Sequence, residues 1–167
     1  WPWGQPKDKA QAYSKKKKFN LKPDADLDRF KAPFTVNKTL SITAELNQPG
    51  GEGVIFAHGG SVHGYALYIK DDAVHFAVRR NSDLDLVSSH DSTVKKAKRF
   101  SVRYAKNGEV ELSADGRTLT KKKTGGSLSS HPADGLQVGR DLAGRVGAYK
   151  DDLPFTGKIR RVLIDVQ

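Results

Sequence analysis

Large apolar side chains recur at every second position over three neighbouring stretches, Val54 to His58, Tyr65 to Ile69 and Val74 to Val78. A period of two is typical of β-strands that bury one face. A Gly-rich loop separates the first two stretches, and the pair Asp71-Asp72 joins the second to the third as a tight turn. The pattern therefore predicts three antiparallel strands, about half of a β-sandwich.

The same alternation continues along the rest of the chain. Phe34 and Val36, followed by the apolar positions from Leu40 to Leu46, predict one long strand with a bulge near Asn37. Asn107-Gly108 and Asp115-Gly116 are strong hairpin signals between further alternating stretches. Strands that follow one another about every eight to twelve residues, without a helical period, predict an all-β antiparallel sandwich.

The chain has 167 residues, which is long enough for one self-sufficient domain. Its charge is distributed unevenly. Lys and Arg number 29 against 19 Asp and Glu, so the net charge is +10. Positions 1–32 hold nine of the basic and four of the acidic residues, which is half of the excess. We interpret positions 1–32 as a basic N-terminal linker or extension and 33–167 as the sandwich. A field of this sign favours anionic partners.

Several classes of protein are excluded by what the sequence lacks. The chain has no Cys, so it has no disulfide framework, thiolate nucleophile or Cys-based zinc site. No apolar run reaches the length of a transmembrane helix, so no membrane partner is expected. Trp1 opens the sequence in place of Met, which suggests a mature or excised fragment of a longer chain. Separately, we expect a monomer. We expect Trp1 and Trp3 to dock on a neighbouring domain in preference to stacking on sugar rings.

Motifs near the end of the chain resemble a known family. The stretch Gly135 to Asp141, GLQVGRD, and the stretch Phe155 to Val166, FTGKIRRVLIDV, resemble the GLxVGxD and FxGxIxxVxI strands of laminin G-like, concanavalin A-like domains. With GYALYI and FAVRR, the resemblance covers roughly Phe34 to Val166 and implies an antiparallel β-sandwich of the jelly-roll kind. More narrowly, HGGSVHGYALYIKDDAVHFAVRR, DGLQVGRD and PFTGKI are similar to the sandwich domain appended to the C-terminus of some secreted bacterial sulfatases.

This resemblance implies an extracellular or periplasmic location beside the catalytic domain of a parent sulfatase. The chain itself has no Cys or Ser in a C/S-x-P-x-R arrangement from which such an enzyme makes its formylglycine. Glycosidases need two carboxylates at a fixed distance. The pairs Glu109 and Glu111, and Asp83 and Asp85, adjoin turns, where we expect them to face water. We therefore predict that the chain is not an enzyme.

A metal site is suggested only by the same resemblance. Laminin G-like and pentraxin-like relatives hold calcium with Asp side chains and backbone carbonyls at one rim of the sandwich. Asp141, Asp151 and Asp152 lie in the corresponding kind of loop, so they are the candidate ligands. Asp is also an ordinary turn former, so the sequence leaves two alternatives at these positions, a calcium site and a turn without metal.

The first candidate ligand site is the outer face of a sheet. If Tyr65, Leu67 and Ile69 point into the core, Tyr68 on the same strand points out. By the same rule His75 and Arg79 point out, and so do Arg99 and Arg103 if their strand belongs to the same sheet. Arginine binds sulfate or carboxylate through two parallel hydrogen bonds, and tyrosine offers a flat face to a sugar ring.

The second candidate site is a rim formed by the loop from His58 to His63 together with Arg140, where glycines let backbone N–H groups approach an anion. The sequence does not decide between the sheet face and this rim. No recognition helix or RNA-binding motif is present, so nucleic acid is not the expected partner.

The sequence thus predicts a non-catalytic module that binds or positions a carbohydrate. The expected ligand is a sulfated or otherwise anionic polysaccharide, and the module would be accessory to a sulfatase. The alternative is a protein-interaction or structural module that packs against the parent hydrolase without binding glycan.

Overall fold

The computed structural model describes residues 13–141, 145–149 and 153–167, which form twelve β-strands. The strands are β1 (Lys18–Leu21), β2 (Asp26–Leu27), β3 (Leu40–Leu46), β4 (Gly53–Gly59), β5 (Gly64–Lys70), β6 (Ala73–Arg80), β7 (Asp83–Ser89), β8 (Arg99–Tyr104), β9 (Glu109–Ala114), β10 (Arg117–Lys123), β11 (Leu136–Val138) and β12 (Ile159–Val166).

The strands are arranged in two sheets of six. The first sheet has the order β1-β12-β3-β8-β9-β10, and the second has the order β2-β11-β4-β5-β6-β7. All neighbouring strands within the sheets are antiparallel, which confirms the predicted all-β sandwich. A short 3₁₀ helix, Ser92–Lys95, precedes β8. Within the described residues, no helix has the length and apolar character needed to cross a bilayer.

The core lies between the two sheets and is built from the alternating apolar positions. Phe56, Tyr65 and Phe76 of the second sheet are fully buried, and their rings contact one another at centroid distances of 5.9 and 6.3 Å. The ring of Phe76 also meets the ring of Tyr104 from the first sheet at 5.9 Å. This contact joins the inner faces of the two sheets directly. The inner face is therefore the one that the period of two indicated, except at Val54: the register shifts between Val54 and Phe56, so that Ile55 belongs to this core and Val54 does not.

Two of the hairpin turns have the geometry that their residues favour. Asp71 and Asp72 have φ angles of 54° and 63°, and Asp115 and Gly116 have φ angles of 49° and 83°. Two successive residues with positive φ are the signature of the type I′ turn, whose twist matches that of the flanking strands. The predicted turns at these two positions are confirmed.

The N-terminal boundary predicted after residue 32 is wrong, because two strands of the sandwich precede it. β1 pairs with β12 at the edge of the first sheet, and β2 pairs with β11 in the second sheet. Phe19 and Leu21 of β1 are 4% and 6% exposed and belong to the main core. The lysines before Phe19 hid this alternation from the sequence pattern. The predicted docking residues Trp1 and Trp3 lie outside the described residues.

The strand predicted to begin at Phe34 begins later, at Leu40. Residues 35–38 form a turn in which the Lys38 N–H donates to the Thr35 carbonyl at 3.3 Å, and Asn37 has a φ of 54°. A positive φ is compatible with a turn and not with a continuing strand. Phe34 instead stacks on the ring of His131 at 5.5 Å.

Candidate functional site

The predicted ligand-binding residues of the second sheet point outward as expected, but they are not open to solvent. Tyr68 on β5 lies opposite His75 on β6, and their rings stack at 4.8 Å. Tyr68 is nevertheless only 1% exposed, while His75 and Arg79 are half-buried. The expectation that Tyr68 offers a free face to a sugar ring is therefore wrong.

Tyr68 is covered by residues 145–149, which we call the strap. Val146 and Tyr149 of the strap pack against the outer face of the second sheet. The floor beneath them is made of small side chains, because Ala57, Ala66 and Ala77 lie opposite one another on β4, β5 and β6. These apolar residues form a second buried cluster that is separate from the main core. The strap therefore covers the face that the sequence pattern left open.

Side chains predicted to bind ligand hold the backbone of the strap. Arg79 donates through Nε to the Val146 carbonyl at 2.7 Å. The Tyr68 hydroxyl accepts a hydrogen bond from the Ala148 N–H at 3.3 Å, and Lys70 Nζ donates to the Ala148 carbonyl at 3.4 Å. Buried peptide groups need such partners. The polar groups of this face thus serve the protein itself.

His75 is likewise occupied by protein groups. Its Nε2 lies 3.2 Å from the Lys70 carbonyl, and its Nδ1 lies 2.6 Å from the Ser88 hydroxyl. Because a carbonyl can only accept, Nε2 carries the proton and Nδ1 accepts from Ser88. Burial lowers the pKa of His75, which favours this neutral ring.

Asp141, a predicted calcium ligand, anchors both ends of the strap. It is 2% exposed, and its Oδ2 accepts hydrogen bonds from the Val146 N–H at 2.9 Å and from the Tyr149 hydroxyl. Burial, followed by the charge of Asp141, raises the pKa of Tyr149, so the phenol remains a donor. Asp151 and Asp152 lie outside the described residues. Among the residues that are described, no three His, Asp or Glu side chains form a group able to hold a metal, so calcium stays a prediction.

The predicted rim does not form, because its residues lie at opposite ends of one strand. β11 runs antiparallel to β4 with Leu136 opposite His58, so Arg140 lies towards Gly53 at the other end of β4. His58 is fully buried, and its Nδ1 lies 2.9 Å from the Tyr65 hydroxyl. Burial, helped by the charge of His131, lowers the pKa of His58 to about 3. His63 is half-buried. Of the three side chains predicted for the rim, His58, His63 and Arg140, only that of Arg140 is exposed.

Arg99 and Arg103 are exposed as predicted, but they lie on the other sheet. Their strand, β8, is in the first sheet, so they share no surface with Tyr68. Arg99 is also engaged, since its Nη2 lies 3.3 Å from Glu45 Oε2. Hydrogen bonding to Arg161, which also contacts Glu45, is the largest cause that lowers the pKa of this carboxyl.

An open groove at the Gly53 end of the sandwich remains available to a ligand. It encloses about 520 Å³, and its lining includes Arg140, Phe155 and Lys158. Arg140 and Lys158 are exposed and Phe155 is half-buried. Neither cation forms an ion pair within the part of the chain that the structure describes. We call this depression the rim groove.

Glycines keep the aromatic ring of the rim groove in place. A Cβ at Gly51 would lie 2.6 Å from Cζ of Phe155, and one at Gly157 would lie 2.8 Å from its Cε2. Real Cβ atoms do not approach so closely, so these positions accept only glycine without a shift of the ring. The backbone is fixed as well, because the Phe155 N–H donates to the Gly139 carbonyl at 2.9 Å.

The groove combines groups suited to an anionic sugar. A guanidinium binds sulfate or carboxylate through paired hydrogen bonds, and an ammonium adds a compact positive charge. An aromatic ring supplies an apolar face. Asp24 is the acidic side chain of the lining. Sequence reasoning identified Arg140 but missed Phe155 and Lys158, although the flanking Pro154 and Gly157 mark them as part of a fixed turn.

Comparison with known proteins shows the fold. No family model matches the sequence, nor does any curated protein. The CBM40 domain of the Ruminococcus gnavus IT-sialidase, bound to α2,6 sialyllactose, is 15% identical, with 90% of each chain covered and a TM-score of 0.56. Mouse laminin α1 domains LG4-5 are 18% identical, with 93% of this chain and 40% of that one covered and a TM-score of 0.61.

The NanB sialidase of Streptococcus pneumoniae gives a similar result, with 12% identity, a TM-score of 0.59, and 87% of this chain matched to 26% of the sialidase. The matches extend over nearly the whole of the present chain and, in the two larger proteins, over a part only. The chain therefore has the laminin G-like β-sandwich fold that its sequence motifs predicted.

Proposed function

We propose that this chain is a non-catalytic carbohydrate-binding module that holds an anionic polysaccharide in the rim groove. The observation that carries the proposal is the pair of exposed cations, Arg140 and Lys158, beside the fixed ring of Phe155. The net charge of +10 would draw such a ligand to the protein from a distance.

The structural neighbours support a role in glycan binding. The CBM40 domain is described in complexes with α2,6 and α2,3 sialyllactose. A shared fold is an analogy and not a demonstration, because function belongs to the site. The support is that this fold holds oligosaccharides elsewhere and that the present chain carries suitable chemistry on its rim.

The finer proposal is that the ligand is a sulfated or uronate polysaccharide and that the module assists a sulfatase outside the cytoplasm, either extracellular or periplasmic. It rests on the resemblance of HGGSVHGYALYIKDDAVHFAVRR and PFTGKI to domains appended to secreted bacterial sulfatases. The cations of the rim groove are compatible with sulfate groups.

Binding to dextran sulfate and to unmodified dextran tests the proposal, since these polymers differ only in their sulfate groups. We expect binding to dextran sulfate at low salt and none to dextran. The double variant Arg140→Gln/Lys158→Gln should weaken this binding by roughly tenfold or more, because two charged contacts are removed. The matched control Lys96→Gln/Lys123→Gln removes the same charge elsewhere on the surface and should retain most of the affinity.

Equal affinity for the two polymers, or equal losses in the two double variants, would contradict the proposal. Failure to bind any glycan, combined with a change in Trp1 and Trp3 fluorescence on addition of the parent hydrolase domain, would support the protein-interaction module instead.

A further inference from the structure

The rim groove does not end at Arg140 but continues along the edge of the sandwich. Asp24 lines both the rim groove and a second depression of about 560 Å³, so the two are contiguous. The second depression lies along the segment from Ser14 to Lys31, which contains β1 and β2. We call it the edge groove.

The edge groove has an apolar floor and a basic margin. β1 and β2 are the edge strands of the two sheets, so the groove lies along the side on which the sandwich ends. Phe19 and Leu27 contribute apolar surface to it, while Lys16, Lys22 and Lys31 are exposed at its margin. Lysine ammonium groups are mobile point charges, which suit anions at varying positions along a chain.

Two further depressions extend this surface beyond the edge groove. A depression of about 540 Å³ lies on the outer face of the first sheet beside Lys18, and another of about 280 Å³ lies beside Lys38 and the start of β1. Lys16 lines both of them as well as the edge groove. The four depressions therefore form one continuous surface, which we call the basic path.

Most of the net charge of the protein lies on this path. Nine Lys and Arg side chains and two Asp line the four depressions, a formal charge of +7 against +10 for the whole chain. Within the described residues none of these nine cations forms an ion pair. By contrast, Arg99 and Arg161 on the outer face of the first sheet both form ion pairs with Glu45. The nine cations are the lysine run 15–18 with Lys22, Lys31, Lys38, Arg140 and Lys158.

The basic path is longer than any one of its depressions. It runs from Lys38 and the start of β1, along β1 and β2, to Arg140 and Lys158. β1 alone advances about 13 Å over its four residues, at about 3.3 Å per residue. A single sugar in the rim groove would leave the lysine run 15–18 at the start of β1 without a ligand. Cations arranged in sequence match a ligand that is itself a chain of regularly spaced anions.

We propose that the basic path binds an extended stretch of an anionic polysaccharide, so that the module recognises the interior of a long chain and not a chain end or a short oligosaccharide. This inference rests on the proposed function, because the rim groove forms one end of the path. The segment interpreted from sequence as a linker then becomes part of the binding surface.

Sulfated dextran fragments of graded length test the inference. For the native protein, affinity at low salt should rise with fragment length beyond the size that fills the rim groove. In Lys16→Gln/Lys22→Gln/Lys31→Gln, short fragments should bind as before, while the additional affinity of long fragments falls by roughly tenfold or more. The dependence of log K on log salt should also become shallower by about two to three units, since fewer counterions are released.

The matched control is Lys96→Gln/Lys122→Gln/Lys123→Gln, which removes three charges of which two lie on β10, the opposite edge of the first sheet. It should keep the gain with fragment length. The inference is overturned if the native protein shows no such gain, if both triple variants lose it equally, or if single-stranded DNA of matched length binds more tightly than dextran sulfate. Loss of short-fragment binding in Arg140→Gln/Lys158→Gln is read separately, since it tests the rim groove.

Discussion

Individual side chains in this sandwich take their roles from what covers them, and not from their chemistry alone. Arg79 and Tyr68 have the groups expected of a sulfate or sugar site, yet their polar atoms bond to the backbone of the strap. Arg140 has the same guanidinium as Arg79, but it is exposed beside an open groove. Buried peptide groups must find partners, so a side chain that supplies one is no longer free for a ligand.

Buried histidines make the stability of the folded chain depend on pH. His58 is uncharged in the folded protein, because burial holds its pKa near 3 against a usual value of 6.5. Between these pH values the unfolded chain binds a proton that the folded protein does not. The free energy of unfolding therefore falls as the pH falls through this window, by at most about 1.4 kcal/mol per pH unit for one histidine.

We predict that His58→Gln flattens this dependence. Urea unfolding between pH 7 and pH 4 should show a smaller loss of stability with falling pH in the variant than in the native protein, whatever the stability of each at pH 7. Ser61→Ala, at an exposed position without an ionisable group, is the control and should leave the slope unchanged. Parallel pH profiles for His58→Gln and the native protein would contradict the assignment.

Among the strands, β1 is the one whose buried face is hardest to recognise in the sequence, because lysines precede its two buried residues. Its residues alternate between exposed and buried, with Phe19 and Leu21 in the core. Edge strands are commonly protected from unwanted pairing by lysines, and here four of them lead into the strand. The same four lysines therefore protect the edge of a sheet and line the basic path.

The strap is the second segment whose role depends on its neighbours, and Arg79 tests its attachment. We predict that Arg79→Gln lowers the free energy of unfolding by about 1 to 2 kcal/mol, because a charged hydrogen bond of 2.7 Å to the Val146 carbonyl is weakened. Arg103→Gln, at an exposed position on β8, should change it by about 0.5 kcal/mol or less. Chemical denaturation measures both values.

The prediction for Arg79→Gln is contradicted if the variant loses binding to dextran sulfate while its free energy of unfolding is unchanged. That result would mean that the ligand binds the outer face of the second sheet and that the strap does not depend on Arg79.

At the scale of the whole molecule, cations are concentrated along the basic path. Arg99, Arg117 and Arg161, on strands of the first sheet, form ion pairs, whereas the cations of the basic path form none within the described residues and follow one edge and one end of the sandwich. A positive surface of this kind attracts polyanions and speeds their association. Its attraction must weaken in salt, because exposed charges are screened.

We predict that dextran sulfate raises the melting temperature of the native protein at low ionic strength. Binding to the folded state alone adds about 2.7 kcal/mol of stability at a ligand concentration one hundred times Kd. The shift should vanish at high salt and should not occur with neutral dextran. Differential scanning calorimetry measures it, and a shift that persists unchanged in high salt would contradict an electrostatic origin.

Alternation of apolar residues was sufficient to predict the all-β fold, since a period of two can bury a face only in a strand. It also predicted the turns at Asp71-Asp72 and Asp115-Gly116, because those residues tolerate a positive φ. These features depend on neighbours in the sequence, so the sequence pattern reveals them.

The location of the candidate site depended instead on contacts between distant parts of the chain. Because β11 pairs with β4, Arg140 lies at the opposite end of β4 from His58, and because β8 belongs to the first sheet, Arg99 lies far from Tyr68. The strap covers Tyr68, and Phe155 packs against Gly51, which is about one hundred positions earlier in the chain. Local periodicity specifies which way a side chain points, but strand order and packing specify what it meets.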